Sequence, residues 1–437
     1  GQVSASESLI AYAQDYIQVN TSIESNNITL QAQNSIDTTP AVIISASSLN
    51  LISNRFGTNS VPLNLNATSL HINRLSGSIN ILESLGIGTS ILLRGPPEFG
   101  SIQYNSSNNL TLDTAENGIF TAEGASISAN SLYLYAYSSI GTDYLPLYID
   151  VNSLELAYSQ NSSIYIESYD SLTIRGTISA PQGDISLVSA QGNMDIDATV
   201  EASQGSILLR ADNGQMSAFG TMRANSDYGT ITFKAGYDLE MGGSYEASFM
   251  DFDPHTDGDL TISTVTEVSG DTTWSATGNI NISANVTVNS GWAKFFADAL
   301  DAAGTFDDGT GSFNQTAGTI HTPDDNIYID GSGATVINNL TVDSGDGQSH
   351  IYIGNVTGNH TMTSITINGT VDSSITDGNI IINAGTGSID TNDQSITAGS
   401  GTITLIADTI DLGTTADKIS TTGSIVLKPT TTSCTIG

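Results

Sequence analysis

The chain of 437 residues carries 45 acidic side chains against 10 basic ones, a net charge of -35, although only 13% of its residues are charged. A surface of Ser, Thr, Asn and Gly with scattered acid lacks the clustered Lys and Arg that nucleic acid needs, and it repels anionic lipid. No run of about 20 apolar residues is present to insert in a membrane, and the single cysteine, Cys434, excludes an intramolecular disulfide and reads as a small buried hydrophobe.

From the start of the chain a short alternating phrase recurs: Leu9-Ile10-Ala11, Ile17-Gln18-Val19, Ile28-Thr29-Leu30, Leu49-Asn50-Leu51, Leu110-Thr111-Leu112, Leu132-Tyr133-Leu134 and Leu154-Glu155-Leu156. Leu49 follows Ile28 by 21 residues, and Leu110, Leu132 and Leu154 follow one another by 22 and 22. A fixed period of that size marks a stacked solenoid, and alternation of apolar with polar residues makes its coils of strands. The expected fold is all-β, a parallel β-helix (β-solenoid) with about 20–24 residues per coil.

Residues 1–241 read as uninterrupted coils. Leu172, Ile185, Met194 and Ile207 open phrases spaced by 13, 9 and 13 residues, which two strands per 22-residue turn explain, with Gly183, Gly192 and Gly205 at the corners. Residues 242–326 read as irregular coils. Within them, 242–259 resemble an insertion or irregular turn, and 291–325 join an apolar cluster (Trp292, Phe295, Phe296, Leu300) to a Gly/Asp-rich run. Residues 292–302 suit either a short helix lying on the stack or an aromatic strand. Coils resume over 327–437 and continue to an uncapped end. Solenoid ends expose backbone edges unless capped, so the expectation is a section of a longer chain or a subunit whose ends pair with neighbours. No basic, apolar leader opens the sequence, so an exported form requires a targeting segment outside it.

The phrases Gly401-Thr402-Ile403-Thr404-Leu405-Ile406-Ala407-Asp408, Gly423-Ser424-Ile425-Val426-Leu427, Gly183-Asp184-Ile185-Ser186-Leu187 and Asn27-Ile28-Thr29-Leu30-Gln31-Ala32 resemble repeats of filamentous-haemagglutinin-type large secreted adhesins. The likeness extends over most of the chain as a likeness of repeat grammar; the family's N-terminal secretion domain is not recognisable. It implies a right-handed parallel β-helix, an extracellular or cell-surface location, and a role in adhesion or extracellular structure.

Signals for catalysis are weak. The basic residues are spread at about one per two coils, and no pair recurs at one-coil spacing beside an acidic cluster. His321 with Asp324 and Asp325 is the one tempting acid–base group, but adjacent strand residues face opposite ways and Pro323-Asp324-Asp325-Asn326 reads as a turn. The sequence therefore assigns no catalytic residue. Calcium is the candidate cofactor: Asp251, Asp253, Asp257 and Asp259 lie within nine residues beside a turn-forming Gly258, though an acidic turn that stays solvated reads equally from the same run. Asn-x-Ser/Thr sequons at Asn20, Asn27, Asn66, Asn105, Asn109, Asn161, Asn281, Asn285, Asn314, Asn339, Asn355, Asn359 and Asn368 are candidate glycosylation sites.

The expected function is a non-enzymatic extracellular structural protein, a β-solenoid subunit or section of a surface filament, fibre or adhesin stalk assembling end to end. Its partner is itself, as a homopolymer or as neighbouring coils of a longer chain. Strands around Leu9, Ile10, Ile17 and Val19 at one end, and Ile425, Leu427 and Ile436 at the other, are the candidate contacts. The alternative is a carbohydrate-binding or polysaccharide-cleaving β-helix of tailspike or lyase type with cell-surface glycans as partners. It draws on Tyr133, Tyr135, Tyr137, Tyr144, Tyr148, Tyr158, Tyr165 and Tyr169, which read otherwise as strand-face packing.

Overall fold

The computed structural model describes residues 3–53, 55–56, 63–73, 79–83, 90–94, 98–99, 102–104, 109–114, 118–121, 126–226, 228–254, 258–298, 311–343, 349–354, 362–375 and 377–431. Among them every regular element is a strand, from Val3–Ala13 to Ile425–Lys428, and no helix is long and apolar enough to cross a membrane. The strands pair in parallel, coil on coil, as a β-solenoid. Two compact units divide the chain, Gly1–Gly205 and Ser206–Gly437.

In the first unit the alternation of each phrase becomes a column. Leu110, Leu132, Leu154, Ile174 and Ile196 pair in register on five successive coils, each with at most 1% of its surface exposed. Parallel stacking at about 4.8 Å places each inward side chain on its counterpart one coil away, so burial is gained tier by tier. The strands Val3–Ala13, Ile23–Ala32 and Ile43–Ile52 are long enough to turn a corner without ending. A register shift between Ala5 and Ser8 marks that corner, and the small residues Ala5, Ser25 and Ala46 stack there.

Two strands per turn proves one too few. Between Met194–Ile196 and residue 207 lies a further strand, Thr199–Ala202, paired with the second half of Leu172–Ser179. Its inward residues are Val200 and Ala202, both solvent-free, and so little apolar mass leaves the alternation hard to see in the sequence.

In the second unit the three faces separate cleanly. Ile280–Ile282, Val286–Val288 and Ala293–Ala297 form one coil, and Phe313–Gln315, Thr319–Thr322 and Ile327–Asp330 stack on them one for one. The coil between Asn281 and Asn314 takes 33 residues, yet the register is kept. A longer stretch of sequence therefore returns to the same column.

The stretch at 292–302, open to helix or strand in the sequence, is strand over Ala293–Ala297: Ala293, Phe295 and Ala297 point inward, while Lys294 and Phe296 are half-buried. Phe295 stacks on Trp274 at 4.4 Å between ring centroids with 3° between planes, and meets Phe313 edge-on at 5.4 Å. Residues 242–254, expected to break the rhythm, continue the strand Leu239–Pro254, which pairs along Leu260–Ala276. Gly270 permits the bend in the second of these: its φ is 121°, and a Cβ there would stand 1.9 Å from the Ala247 carbonyl oxygen.

Candidate functional site

Corners interrupt a backbone ladder, and the side chains beside them restore it. In the second unit Asp259 Oδ1 accepts from Asn279 N at 2.7 Å, and Asn279 Oδ1 accepts from Ser312 N at 3.0 Å. On another corner Asn326 Oδ1 accepts from His350 N at 2.6 Å, His350 Nδ1 from Asn379 N at 2.8 Å, and Asn379 Oδ1 from Thr402 N at 2.7 Å. Short polar side chains that bond neighbouring backbone suit this task, which explains why a chain so poor in charge is so rich in Asn, Asp and Ser. Asp393 Oδ1 takes both Thr414 N and Thr415 N at 2.7 Å, and those bonds hold its carboxyl below the ordinary value. Burial pushes the His350 imidazole below its ordinary value, against the pull of Asp325.

The candidate calcium ligands do not form a described cage. Asp251 is exposed on its strand, Asp259 spends its oxygens on Asn279 and Asn281, Asp253 is described only through its backbone, and Asp257 lies outside the described residues. Among the described residues no group of three metal-ligating side chains converges. His321 bonds Asp343 through Nε2 at 3.0 Å, whereas Asp325 Oδ1 accepts from Asn326 N and Nδ2. His321 and Asp325 thus have separate partners.

Of the sequon residues, Asn20 and Asn161 sit exposed in turns. Asn27 donates Nδ2 to Glu7 O, Asn281 to Asp259 Oδ2, and Asn314 to Asn281 Oδ1, so these amide nitrogens serve the stack. Asn285 and Asn339 offer their oxygens to Thr319 N and Thr370 N, and Asn368 accepts from Asn392 Nδ2. Asn66 and Asn109 are described through backbone alone; Asn105, Asn355 and Asn359 lie outside the described residues, as do Ile436 and Cys434. Of the candidate contact residues, Ile10 is 59% and Ile425 49% exposed, Leu9, Ile17 and Leu427 are half-buried, and Val19 is buried.

The tyrosines of 133–169 are not gathered in one row. Tyr135 neighbours Tyr158, but Tyr133 pairs with Leu156, Tyr148 with Glu167 and Tyr165 with Ser186, and Tyr144 projects from a turn. A tighter aromatic group, absent from the sequence reading, lies in the second unit. Tyr328 and Tyr352 stack at 5.0 Å with 4° between planes, and Lys294 Nζ sits 3.9 Å from the Trp292 ring centroid and 5.5 Å from that of Tyr328. The two tyrosine rings cover each other, which makes that pair part of the stack.

Next to this group the outer surface is concave. A groove of about 530 Å³ crosses four coils, lined by Asn225 and Ser226, then Glu246 and Ser248, then Ser269 and Asp271, then Ser290. A second depression of about 440 Å³ shares Asp271 and adds Phe249 and Trp292. Phe249 is in register with Asp271, and Trp292, which donates its backbone N–H to Asp271 Oδ1 at 3.3 Å, takes the next place in the column. Burial pushes the Asp271 carboxyl up. The spacing of Phe249, Asp271 and Trp292 by one coil each is readable in the sequence, but a search for repeated residue types passes over it because the three differ.

The fold and its repeat define a parallel β-solenoid repeat protein. Comparison with known proteins finds no matching family model, no matching curated protein and no matching solved structure.

Proposed function

We propose that the protein is a non-enzymatic structural β-solenoid, a section or subunit of an extracellular fibre, surface filament or adhesin stalk of the filamentous-haemagglutinin type. The observation that carries this reading is the parallel stacking itself, coil on coil in register, a repeat that extends along one axis. Ile425 and Leu427 continue the columns of Ile403 and Leu405, which are solvent-free. A parallel coil accepts a further coil by strand pairing, whether that coil belongs to the same polypeptide or to another. A contact of that kind does not close on itself and propagates along one axis.

The test is electron microscopy of the purified protein, with Ile17→Asp and Leu427→Asp beside it. Uniform fibres with a spacing of about 4.8 Å along the axis support the reading, and each substitution should shorten or abolish them while circular dichroism keeps its β signal. Polymers of unchanged length in both variants would sink the end-to-end contact. Repeating the comparison in calcium and in chelator tests the calcium expectation at Asp251, Asp253, Asp257 and Asp259.

A further inference from the structure

We propose that the groove of the second unit binds a linear oligosaccharide free of acidic groups, with a sugar ring seated between Phe249 and Trp292 over Asp271. The three residues occupy successive places of one outward column, so the two aromatic side chains are two coil spacings apart, about 10 Å. That gap has room for one saturated six-membered ring, and Phe249, 49% exposed, and Trp292, whose ring Lys294 Nζ approaches to 3.9 Å, both line the depression. Sugars present apolar C–H faces and polar hydroxyl rims, and aromatic side chains beside hydrogen-bonding groups match both. Asp271 stands beneath the gap as an acceptor for hydroxyl groups, and hydrogen bonds to an ionised acceptor are the stronger kind.

From this seat the groove runs along the stack past Ser269, Ser248, Glu246, Ser226 and Asn225. Four coils at about 4.8 Å extend it on the order of 15 Å, which suits an extended chain of a few sugars more than a single one. Charge sets specificity as well. Glu246, 3.6 Å from Arg223, and Asp271 line the groove while Lys294 lies over the Trp292 ring, so the bias against a uronate or sialate comes from the chain's net charge of -35 more than from these paired groups. The first unit supplies an internal contrast: among the described residues its groove is lined by Ser4, Ser6, Glu24, Asn26, Ser45 and Ser47, with no aromatic side chain.

Isothermal titration of the whole chain with tetramers of N-acetylglucosamine, glucosamine, glucose and galacturonate tests the assignment. Saturable binding of at least one non-acidic tetramer is expected, weakened about tenfold by Trp292→Ala or Phe249→Ala and unchanged by Tyr144→Ala. Galacturonate should bind the parent chain more weakly than that tetramer. All three aromatic positions are partly exposed, so thermal unfolding should confirm that the variants stay folded. Failure of every non-acidic tetramer to bind, tighter binding of galacturonate to the parent chain, or full affinity in both aromatic variants overturns the proposal. None of these outcomes bears on fibre formation, which the electron microscopy reads separately.

Discussion

The two units solve the same stacking problem with different chemistry. In Gly1–Gly205 the corners are closed chiefly by hydroxyls: Ser163 Oγ accepts from Asp184 N at 3.0 Å, Ser171 Oγ from Asn193 N at 3.1 Å, and Ser22 Oγ from Ile43 N at 3.1 Å. In Ser206–Gly437 the corresponding acceptors are mostly the carboxylates and amides of Asp259, Asn279, Asn326 and Asn379, with one imidazole, His350. The cores diverge as well. Columns of Leu and Ile fill the first, while the second carries an aromatic tier of Trp274, Phe295 and Phe313 before returning to Ile. A solenoid tolerates such local changes because each coil answers only to its neighbours. The ladder demands an acceptor at the corner but not a particular one, so a hydroxyl, an amide, a carboxylate or an imidazole can fill the place.

The core contrast gives the largest expected effect. Trp274→Ala should destabilise the second unit by about 3–5 kcal/mol, through lost burial and the cavity left against Phe295. Hydrogen exchange should then show protection falling in coils 260–330 and holding in 127–196. Equal loss in both would mean that the units unfold as one and would break the comparison.

Next come the buried polar bridges. Gln315 is solvent-free and donates Nε2 to Gly318 O and Asn339 O while Oε1 accepts from Asn338 N. Replacement by Leu removes all three bonds, leaving Gly318 O only the one from Asn338 Nδ2, and should lower stability by about 2–3 kcal/mol. Ser189→Ala in the first unit removes the hydroxyl whose single proton lies between Asp170 O and Gly192 O, and should lower it by about 1 kcal/mol. Urea midpoints of the two variants measure the difference, and equal shifts would show that the bridges are equivalent.

The smallest effect is titration. The folded His350 sits below its ordinary value of 6.5, so as pH falls below that value the unfolded chain binds the proton first and stability is lost until the folded imidazole also titrates. Protonation also removes the acceptor for Asn379 N. Exchange at the Asn379 amide should therefore quicken below about pH 6.5, and His350→Asn, which retains an acceptor as Asn326 and Asn379 do, should flatten that dependence. A second loss should begin as pH falls below 3.8 and proceed through the lower folded value of Asp393. The Asn193 amide, held by Ser171, should show neither step beyond the intrinsic exchange rate. A matching step there would remove the distinction between the units.

Much of this architecture was legible because strand alternation is local. Leu110, Leu132 and Leu154 declare both their inward face and their coil spacing, and the structure stacks them as that spacing requires. Thr199–Ala202 was not legible, since Val200 and Ala202 give too little apolar contrast to mark a strand. Residues 292–302 were ambiguous because Trp292 and Phe296 stand at helical spacing while Ala293, Phe295 and Ala297 alternate; the buried seat on Trp274 decides for the strand.

The amino-acid sequence alone determined a parallel stack of short strands, its period of about 22 residues and its acidic, hydroxyl-rich surface, because each depends on residues close together in the chain. Only the tertiary structure decided which side chain meets which across coils. Corner acceptors such as Asn279 and His350, the stacked pair Tyr328 and Tyr352, and the column of Phe249, Asp271 and Trp292 join residues 20 to 33 positions apart, over coils of unequal length. Coils of unequal length keep one register, Ile280 pairing with Phe313 and Ile351 with Ile380, so distance along the chain stops predicting place in the column, and the hydrogen-bonded ladder alone restores it.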